Sequence, residues 1–161
     1  MSTLEVKAIA APSGYKLAMP AGHILQVVTG TTSSATVVST TGSWVSVGLS
    51  ASITPSSSSN KIYIQVCGSQ YADADDQSAA ATIFRDSTNL GTADYGLAPF
   101  YVNGLSGAVD LQSPTSMSYL DSPSSTSSIT YAVKCKTDKN TYRWNGIRAT
   151  TSTITLMEVQ G

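Results

Sequence analysis

The sequence has few charged residues and few of the residues that build catalytic or metal sites. Of its 161 residues only 12% are charged, one is histidine and two are cysteine. A metal site built on Cys or His needs clustered ligands, but neither C-x-x-C nor H-x-x-x-H occurs. The glycine-rich phosphate-binding patterns G-x-G-x-x-G and G-x-x-x-x-G-K-[ST] are also absent. We therefore expect no metal and no cofactor.

The charge pattern and the hydropathy exclude two further classes. Nine basic residues stand against ten acidic ones and are scattered along the chain, so no basic patch for nucleic acid is predicted. No apolar run approaches the roughly 18 residues of a membrane helix, and the start, MSTLEVKAIAAP, does not resemble a signal peptide. We expect no nucleic-acid partner, no membrane partner, and synthesis in the cytoplasm.

Residues with catalytic chemistry are present but do not form a convincing set. His23 would have to serve any Ser-His-Asp system, yet no nucleophile-elbow pattern accompanies it, so a surface turn is predicted there. Asp86 and Asp94 could be imagined as a hydrolase pair, but acidic loops produce such pairs by chance. The acidic run at 73–76 lacks the glycine and distal glutamate of a calcium loop. The protein is predicted not to be an enzyme.

Alternation of apolar and polar residues with a period of two dominates the chain. This period predicts an all-β protein, and clusters of Gly, Ser, Asn, Asp and Pro predict turns between short strands, as in a sandwich or barrel. The predicted strands are 24–28, 35–38, 44–47, 49–53, 61–67, 81–84, 117–120, 129–135, 142–144 and 153–159.

A serine run separates two of these predicted strands in SITPSSSSNKIYIQV (52–66). A similar segment, which we call its echo, occurs later in the chain. Pro55 and four serines lead into KIYIQVC, and Pro123 with SSTSS leads into ITYAVKC. Proline ends a strand and the hydroxyls bond local backbone groups, so a recurring turn that enters a hairpin is predicted. A flexible linker and a modification site are the alternatives.

The two cysteines differ in their phase along the predicted strands. Cys67 is out of phase with the apolar positions of 62–66, whereas Cys135 is in phase with those of 129–133. On strands of one sheet the two side chains would point to opposite faces. Two buried free thiols are therefore predicted.

Two segments depart from the alternating pattern and are the candidates for contacts. Residues 1–22 contain two prolines and two glycines and form either a first strand or an extended arm that reaches over a neighbour, while 23–161 form the body. The stretch 95–101 carries three aromatic residues between Gly and Pro, and it serves either the core or a contact loop. The loop candidates are Tyr95, Phe100 and Tyr101.

Several motifs resemble a family of small Ser/Thr-rich virion proteins of tailed bacteriophages, including phages of cyanobacteria and marine bacteria. The similar pieces follow one another in the same order from about residue 23 to the C-terminus. The most specific are GLSASITPSSSSNKI (48–62), RDSTNLG (85–91) and STITLMEV (152–159). The resemblance implies an antiparallel β-sandwich of jelly-roll type that trimerises and carries an extended N-terminal arm.

The resemblance also implies a structural role in the virion without catalytic residues. A tail fibre needs an adaptor and a long shaft, for which 161 residues leave no room, so a trimeric decoration (cement) protein on the outer capsid surface is predicted. Its partner would be the major capsid protein, bound through apolar anchors in the arm. These anchors are Leu4, Val6, Ile9, Tyr15, Leu17 and Met19. The alternative is a tail-fibre or head-fibre module that recognises host surface glycans.

Overall fold

The protein folds as two antiparallel β-sheets packed face to face. The structure is a computed structural model and describes residues 20–39, 42–104, 110–146, 148 and 150–161. These residues contain strands and turns and no α-helix. The strands are β1 (Ile24–Thr32), β2 (Thr36–Ser39), β3 (Val45–Ile53), β4 (Lys61–Ala72), β5 (Gln77–Arg85), β6 (Thr88–Asn89), β7 (Ala98–Val102), β8 (Leu111–Asp121), β9 (Ile129–Thr137), β10 (Thr141–Trp144) and β11 (Ser152–Val159).

The strand order is that of a jelly roll. Sheet A has the order β1-β11-β4-β8, and the short strands β10 and β2 continue it from the far half of β4. Sheet B has the order β3-β9-β5, with β7 and β6 sharing the outer edge of β5. When the eight longer strands of the described residues are numbered along the chain, their order is first-eighth-third-sixth in sheet A and second-seventh-fourth-fifth in sheet B. This arrangement is the double Greek key of jelly rolls, so the predicted fold class is confirmed.

The core lies between the two sheets because every second side chain of a strand points inward. Ile62, Ile64 and Val66 of β4 and Leu156 of β11 are fully buried, and they pack in one cluster with Val133 and its neighbours from sheet B. Burying each aliphatic side chain stabilises the fold by about 1.5–3 kcal/mol. The alternation read from the sequence is therefore the alternation between the core and the two outer faces.

The serine run and its echo connect the sheets. The segment between β3 and β4 passes from sheet B to sheet A, and the segment between β8 and β9 passes back. Because Ile53 pairs with Ile129 and Ile62 pairs with Asp121, both segments lie at the same end of the sandwich. We call this the crossover end. The prediction of a recurring turn holds, but the prediction of hairpins is wrong.

Two strand predictions also differ from the structure. The strands predicted at 44–47 and 49–53 are one strand, β3, interrupted by a bulge at Gly48, whose φ of 74° shifts the register. The stretch 98–102, which shows no alternation, is strand β7 because it pairs with β5. Tertiary pairing overrides local pattern in both places.

The cysteines are free, as predicted, but only one is buried. Cys135 belongs to the core, and burial raises the pKa of its thiol to about 12. Cys67 is exposed on the outer face of sheet A. The prediction that both are buried is wrong because Cys67 lies in the outer phase of β4, opposite to the core residues Ile62, Ile64 and Val66.

The remaining loop predictions concern His23 and the acidic run. His23 is exposed in a turn, and its Nδ1 lies 3.0 Å from the carbonyl oxygen of Pro20, as predicted. In the acidic loop between β4 and β5, Asp76 pairs with Lys139 at 2.6 Å. No group of metal ligands forms within the part of the chain that the structure describes, and the described residues include no helix suited to crossing a membrane.

Candidate functional site

The structure describes one of the two predicted contact regions. Tyr95, Phe100 and Tyr101 lie together at the outer edge of sheet B. The six anchors of the arm, Leu4, Val6, Ile9, Tyr15, Leu17 and Met19, lie outside the described residues and stay a prediction, as does the arm boundary at residue 22.

A groove runs past Tyr95 on the outer side of sheet B. It consists of two adjoining cavities of about 270 and 370 Å³, and Tyr95 and Ser78 line both. Ser78, Ala79 and Ala80 of β5 border the first cavity, with the side chain of Ala79 turned into the core, and Tyr101 stands beside the second cavity. We call this the Tyr95 groove. Aromatic walls next to a strand of small residues leave room for a ligand.

Backbone hydrogen bonds hold residues 90–97, the segment that carries Tyr95, against β5, and we call this segment the strap. The amides of Leu90 and Leu97 donate to the carbonyls of Ile83 and Ala81 at 3.0 Å each. Between these two hydrogen bonds, the Tyr95 amide donates to Thr92 Oγ1 at 3.1 Å. The Tyr95 ring is therefore exposed on a backbone that is held in place.

The motif RDSTNLG builds this strap. Asn89 Oδ1 accepts hydrogen bonds from Thr82 Oγ1 at 2.8 Å and from the Gly91 amide at 2.9 Å. Its Nδ2 donates to the Thr92 carbonyl at 3.0 Å. A Cβ at Gly91 would lie 2.5 Å from the carbonyl carbon of Gly96, so glycine is required there. The motif RDSTNLG, which the sequence shows only as a resemblance to virion proteins, therefore has a structural role in the strap.

Polar neighbours fix the second aromatic ring of the groove. The Tyr101 hydroxyl donates to Asp76 Oδ1 at 2.9 Å and accepts a hydrogen bond from Asn103 Nδ2 at 3.2 Å. The bond to Asp76 raises the pKa of Tyr101. Hydrogen bonds from Lys139 and then from Tyr101 lower the pKa of Asp76. The Tyr101 ring therefore keeps its position although it is exposed.

The outer face of sheet B beyond the groove is covered by its own side chains. The Lys134 ammonium lies 4.0 Å from the ring centre of Phe84, and the Lys136 ammonium lies 4.9 Å from that of Trp44. Trp44 and Phe84 meet edge to face at 6.1 Å. Lys136 also donates to the Ala93 carbonyl at 2.9 Å. The aromatic surface is thereby shielded by cations rather than left bare.

The outer face of sheet A carries an uncovered apolar row across four strands. Cross-strand pairing places Val27 next to Met157, Met157 next to Tyr63, and Tyr63 next to Leu120. Val27 is 55% and Leu120 is 52% exposed, and the two central residues are half-buried. We call these four side chains the apolar row. The sequence alone does not show this row, because its four residues are far apart in the chain.

The next row on the same face is polar throughout. Two residues along each strand, Thr29 pairs with Thr155, Thr155 with Gln65, and Gln65 with Ser118. On the other side of the apolar row, Ile24 is 56% exposed at the start of β1. The apolar row is therefore bordered by a polar row on one side and by the exposed Ile24 on the other.

Two buried carboxylates hold the crossover end together, and sequence analysis missed both. Glu158 accepts hydrogen bonds from Asn60 Nδ2 at 2.5 Å, from Gln26 Nε2 at 2.6 Å, and from the Ser56 amide and hydroxyl at 2.6 and 2.8 Å. Burial alone would raise the pKa of Glu158, but these donors together lower it. The serine run thus wraps a carboxylate. The available signal was the placement of Glu158 in the core phase of STITLMEV.

Asp121 performs the same role beside the second serine tract. It accepts two hydrogen bonds from Arg85, at 2.9 and 3.0 Å, and one from the Tyr131 hydroxyl at 2.7 Å. Asp86 also lies at this end and accepts a hydrogen bond from the Thr130 amide at 3.0 Å, whereas Asp94 lines the Tyr95 groove. Asp121 and Asp86 therefore have structural partners, and Asp94 lies apart from them in the groove.

The fold and the two outer faces define a jelly-roll β-sandwich with an apolar row on one side and a groove on the other. No family model and no curated protein matches the chain. A similar solved structure is the D431N mutant of the VP2 protein of infectious bursal disease virus in T=1 particles. It shares 13% identity with a TM-score of 0.43, and the match covers 95% of this chain and 40% of that one.

Proposed function

We propose that the protein is a structural virion protein of a tailed phage that decorates the outer surface of the capsid as a trimer. The resemblance of residues 48–62, 85–91 and 152–159 to small virion proteins supports this function. The single observation that carries the proposal is the apolar row. A monomeric protein with so few charges gains nothing from exposing it, whereas contiguous apolar surface marks sites of protein association.

A three-fold ring sets a geometric requirement for the contacts that the apolar row makes. A ring requires head-to-tail contacts, in which one patch of each subunit meets a different patch of the next. The apolar row is one such patch. The predicted arm would leave the body at the end of β11 that lies near this row, since Gly22 and His23 form backbone hydrogen bonds with Gln160. Three arms on one rigid trimer would hold neighbouring capsid subunits by avidity.

Light scattering on the purified full chain tests the oligomer. We expect a trimer. A dimer would mean that the apolar row pairs with a copy of itself across a two-fold axis, and a monomer would contradict the proposal altogether.

Deleting residues 1–20 separates the arm from the body. We expect a soluble trimer that no longer binds capsids, because the anchors would be lost and the apolar row kept. Dissociation into monomers would assign the arm to the contact between subunits. Unchanged capsid binding would contradict the arm hypothesis.

Copy number per virion distinguishes the capsid from the tail. A decoration protein should be present in hundreds of copies and label the whole shell. A few copies, with label confined to the tail or to single fibres, would favour the fibre alternative.

A further inference from the structure

We propose that the Tyr95 groove binds a neutral pyranose unit of an oligosaccharide, with the Tyr95 ring as its stacking platform. The inference concerns the groove alone and does not depend on where in the virion the protein sits.

The shape of the groove suits a chain of sugar rings better than a compact ligand. Its two cavities, of about 270 and 370 Å³, adjoin along the Tyr95 side chain and are both open to solvent. The small side chains of Ser78 and Ala80, which share the outer phase of β5, let a flat ring approach the strand. A ligand could therefore place one ring in each cavity and continue outward at either end.

The surface chemistry of the groove matches the two kinds of surface on a pyranose. Tyr95 and Tyr101 are each 59% exposed, and such rings offer an apolar face to the C–H side of a sugar. Around them stand hydrogen-bonding groups for hydroxyls, including the carboxylates of Asp94 and Asp138 and the ammonium of Lys136. An apolar ligand would displace water from these polar groups without replacing its hydrogen bonds, at a cost.

The balance of charge favours a neutral sugar over an acidic one. Two carboxylates line the groove against one ammonium group. That ammonium is already engaged, because Lys136 donates to the Ala93 carbonyl and lies over the Trp44 ring. An anionic sugar would meet the carboxylates without a free cation to compensate.

The groove is also ordered before any ligand arrives. Asp76 and Asn103 hold the Tyr101 hydroxyl, and the strap to β5 holds the backbone of Tyr95. The Asp138 carboxylate accepts from the Ser78 amide at 2.9 Å, and the Asp138 amide donates to the Ser78 carbonyl at 3.0 Å. Binding to such a site costs little ordering of side chains.

A glycan array followed by calorimetry tests the inference on the full-length protein. The panel contains neutral oligosaccharides of glucose, galactose, mannose and N-acetylglucosamine, with sialylated and uronic-acid oligosaccharides for comparison. We expect a neutral oligosaccharide to bind and to shift the backbone amide NMR signals of Ser78 and Tyr101. Tyr95→Ala should weaken binding at least about tenfold, and Tyr95→Phe should retain it because the ring remains.

One surface control variant and three outcomes decide whether the groove binds a neutral sugar. Val37→Ala removes an equally exposed side chain, 57% accessible, from another part of the molecule and should leave binding unchanged. Melting temperatures establish that the variants are folded. The inference fails if no neutral oligosaccharide of the panel binds, if Tyr95→Ala binds as tightly as the wild type, or if the acidic sugars bind more tightly than the neutral ones.

Discussion

The two outer faces of the sandwich carry apolar side chains in different ways. On sheet A, the apolar row meets solvent directly, and threonine, serine and glutamine surround it. On sheet B, lysines and the strap between β5 and β7 cover the aromatic side chains, and only Tyr95 and Tyr101 stand out. One face is thus prepared for contact over a broad flat area. The other is closed by the chain itself except at a groove.

The two proposals assign a different task to each outer face of the fold. Every strand of a sandwich has an inner and an outer phase, and the core restricts only the inner one. The outer phase of sheet A is free to supply an interface, and that of sheet B is free to supply a site. Substitutions that affect one face and spare the other therefore test the comparison.

The largest effect is expected at the crossover end, which supports both faces. Replacing Glu158 with alanine should lower the free energy of unfolding by about 3 kcal/mol, because the donors from Gln26, Ser56 and Asn60 would lose their shared acceptor in a buried place. Chemical denaturation measures the loss. A stability equal to that of the wild type would show that the serine run does not depend on its carboxylate.

Glu158→Gln isolates the contribution of charge and gives a pH signature. The pKa of Glu158 in the folded protein lies below its ordinary value of 4.5. Its charge therefore stabilises the fold fully above about pH 4.5, and this contribution is lost as the pH falls through the lowered value. The variant should be less stable than the wild type at neutral pH, and the difference should shrink in acid. A constant difference would contradict the pKa direction.

The next largest effect is expected on sheet A alone. Leu120→Asp places a charge in the apolar row and should weaken association by at least about 2 kcal/mol per contact, so that light scattering detects monomers. Ser118→Asp is the matched control, since it adds the same charge two residues away in the polar row. Equal dissociation by both variants would mean that net charge, and not the apolar row, governs assembly.

A smaller effect is expected on sheet B from Gly91→Ala. The added Cβ would crowd the carbonyl of Gly96 and the hydroxyl of Thr82, which should cost about 1–3 kcal/mol and loosen the strap. Hydrogen exchange of the Leu90 and Leu97 amides should become faster. Ser87→Ala, at an exposed position before the strap, serves as control, and the oligomeric state should not change. Unchanged exchange rates would show that the close approach is not needed.

The smallest effect is expected from Lys136→Met. The variant keeps most of the aliphatic side chain over Trp44 but removes the cation and the bond to Ala93, which should cost about 0.5–1 kcal/mol. Lys61→Met removes an exposed lysine from the start of β4 and is the control. If both variants lose the same stability, the contact with the ring contributes nothing of its own.

Much of the fold was predictable because strand phase is local. Alternation in KIYIQV and ITYAVK correctly identified inner and outer positions, and Pro-Ser tracts correctly marked turns. The same rule could have identified Glu158, whose position in STITLMEV is an inner one. Strand β7 was missed because Pro99 and two neighbouring aromatic residues hide its alternation, and only pairing with β5 makes it a strand.

The sites were predictable only in part. The aromatic stretch 95–101 was predicted as a contact candidate because its residues did not fit a pattern, and in the structure it lines the Tyr95 groove. Its small-residue neighbours on β5, 14 or more positions earlier in the chain, carried no signal. The apolar row combines residues 27, 63, 120 and 157, and no local window contains two of them.

By itself, the sequence determined where most of the strands lie, which of their side chains point inward, and where the chain turns. These properties follow from the period of two and from the backbone preferences of Pro, Gly and Ser, which act over a few residues. Tertiary structure alone decided that the serine tracts join the sheets and which side chains share an outer face. Those outcomes depend on sheet order and register, which are set by pairing between segments far apart in the chain.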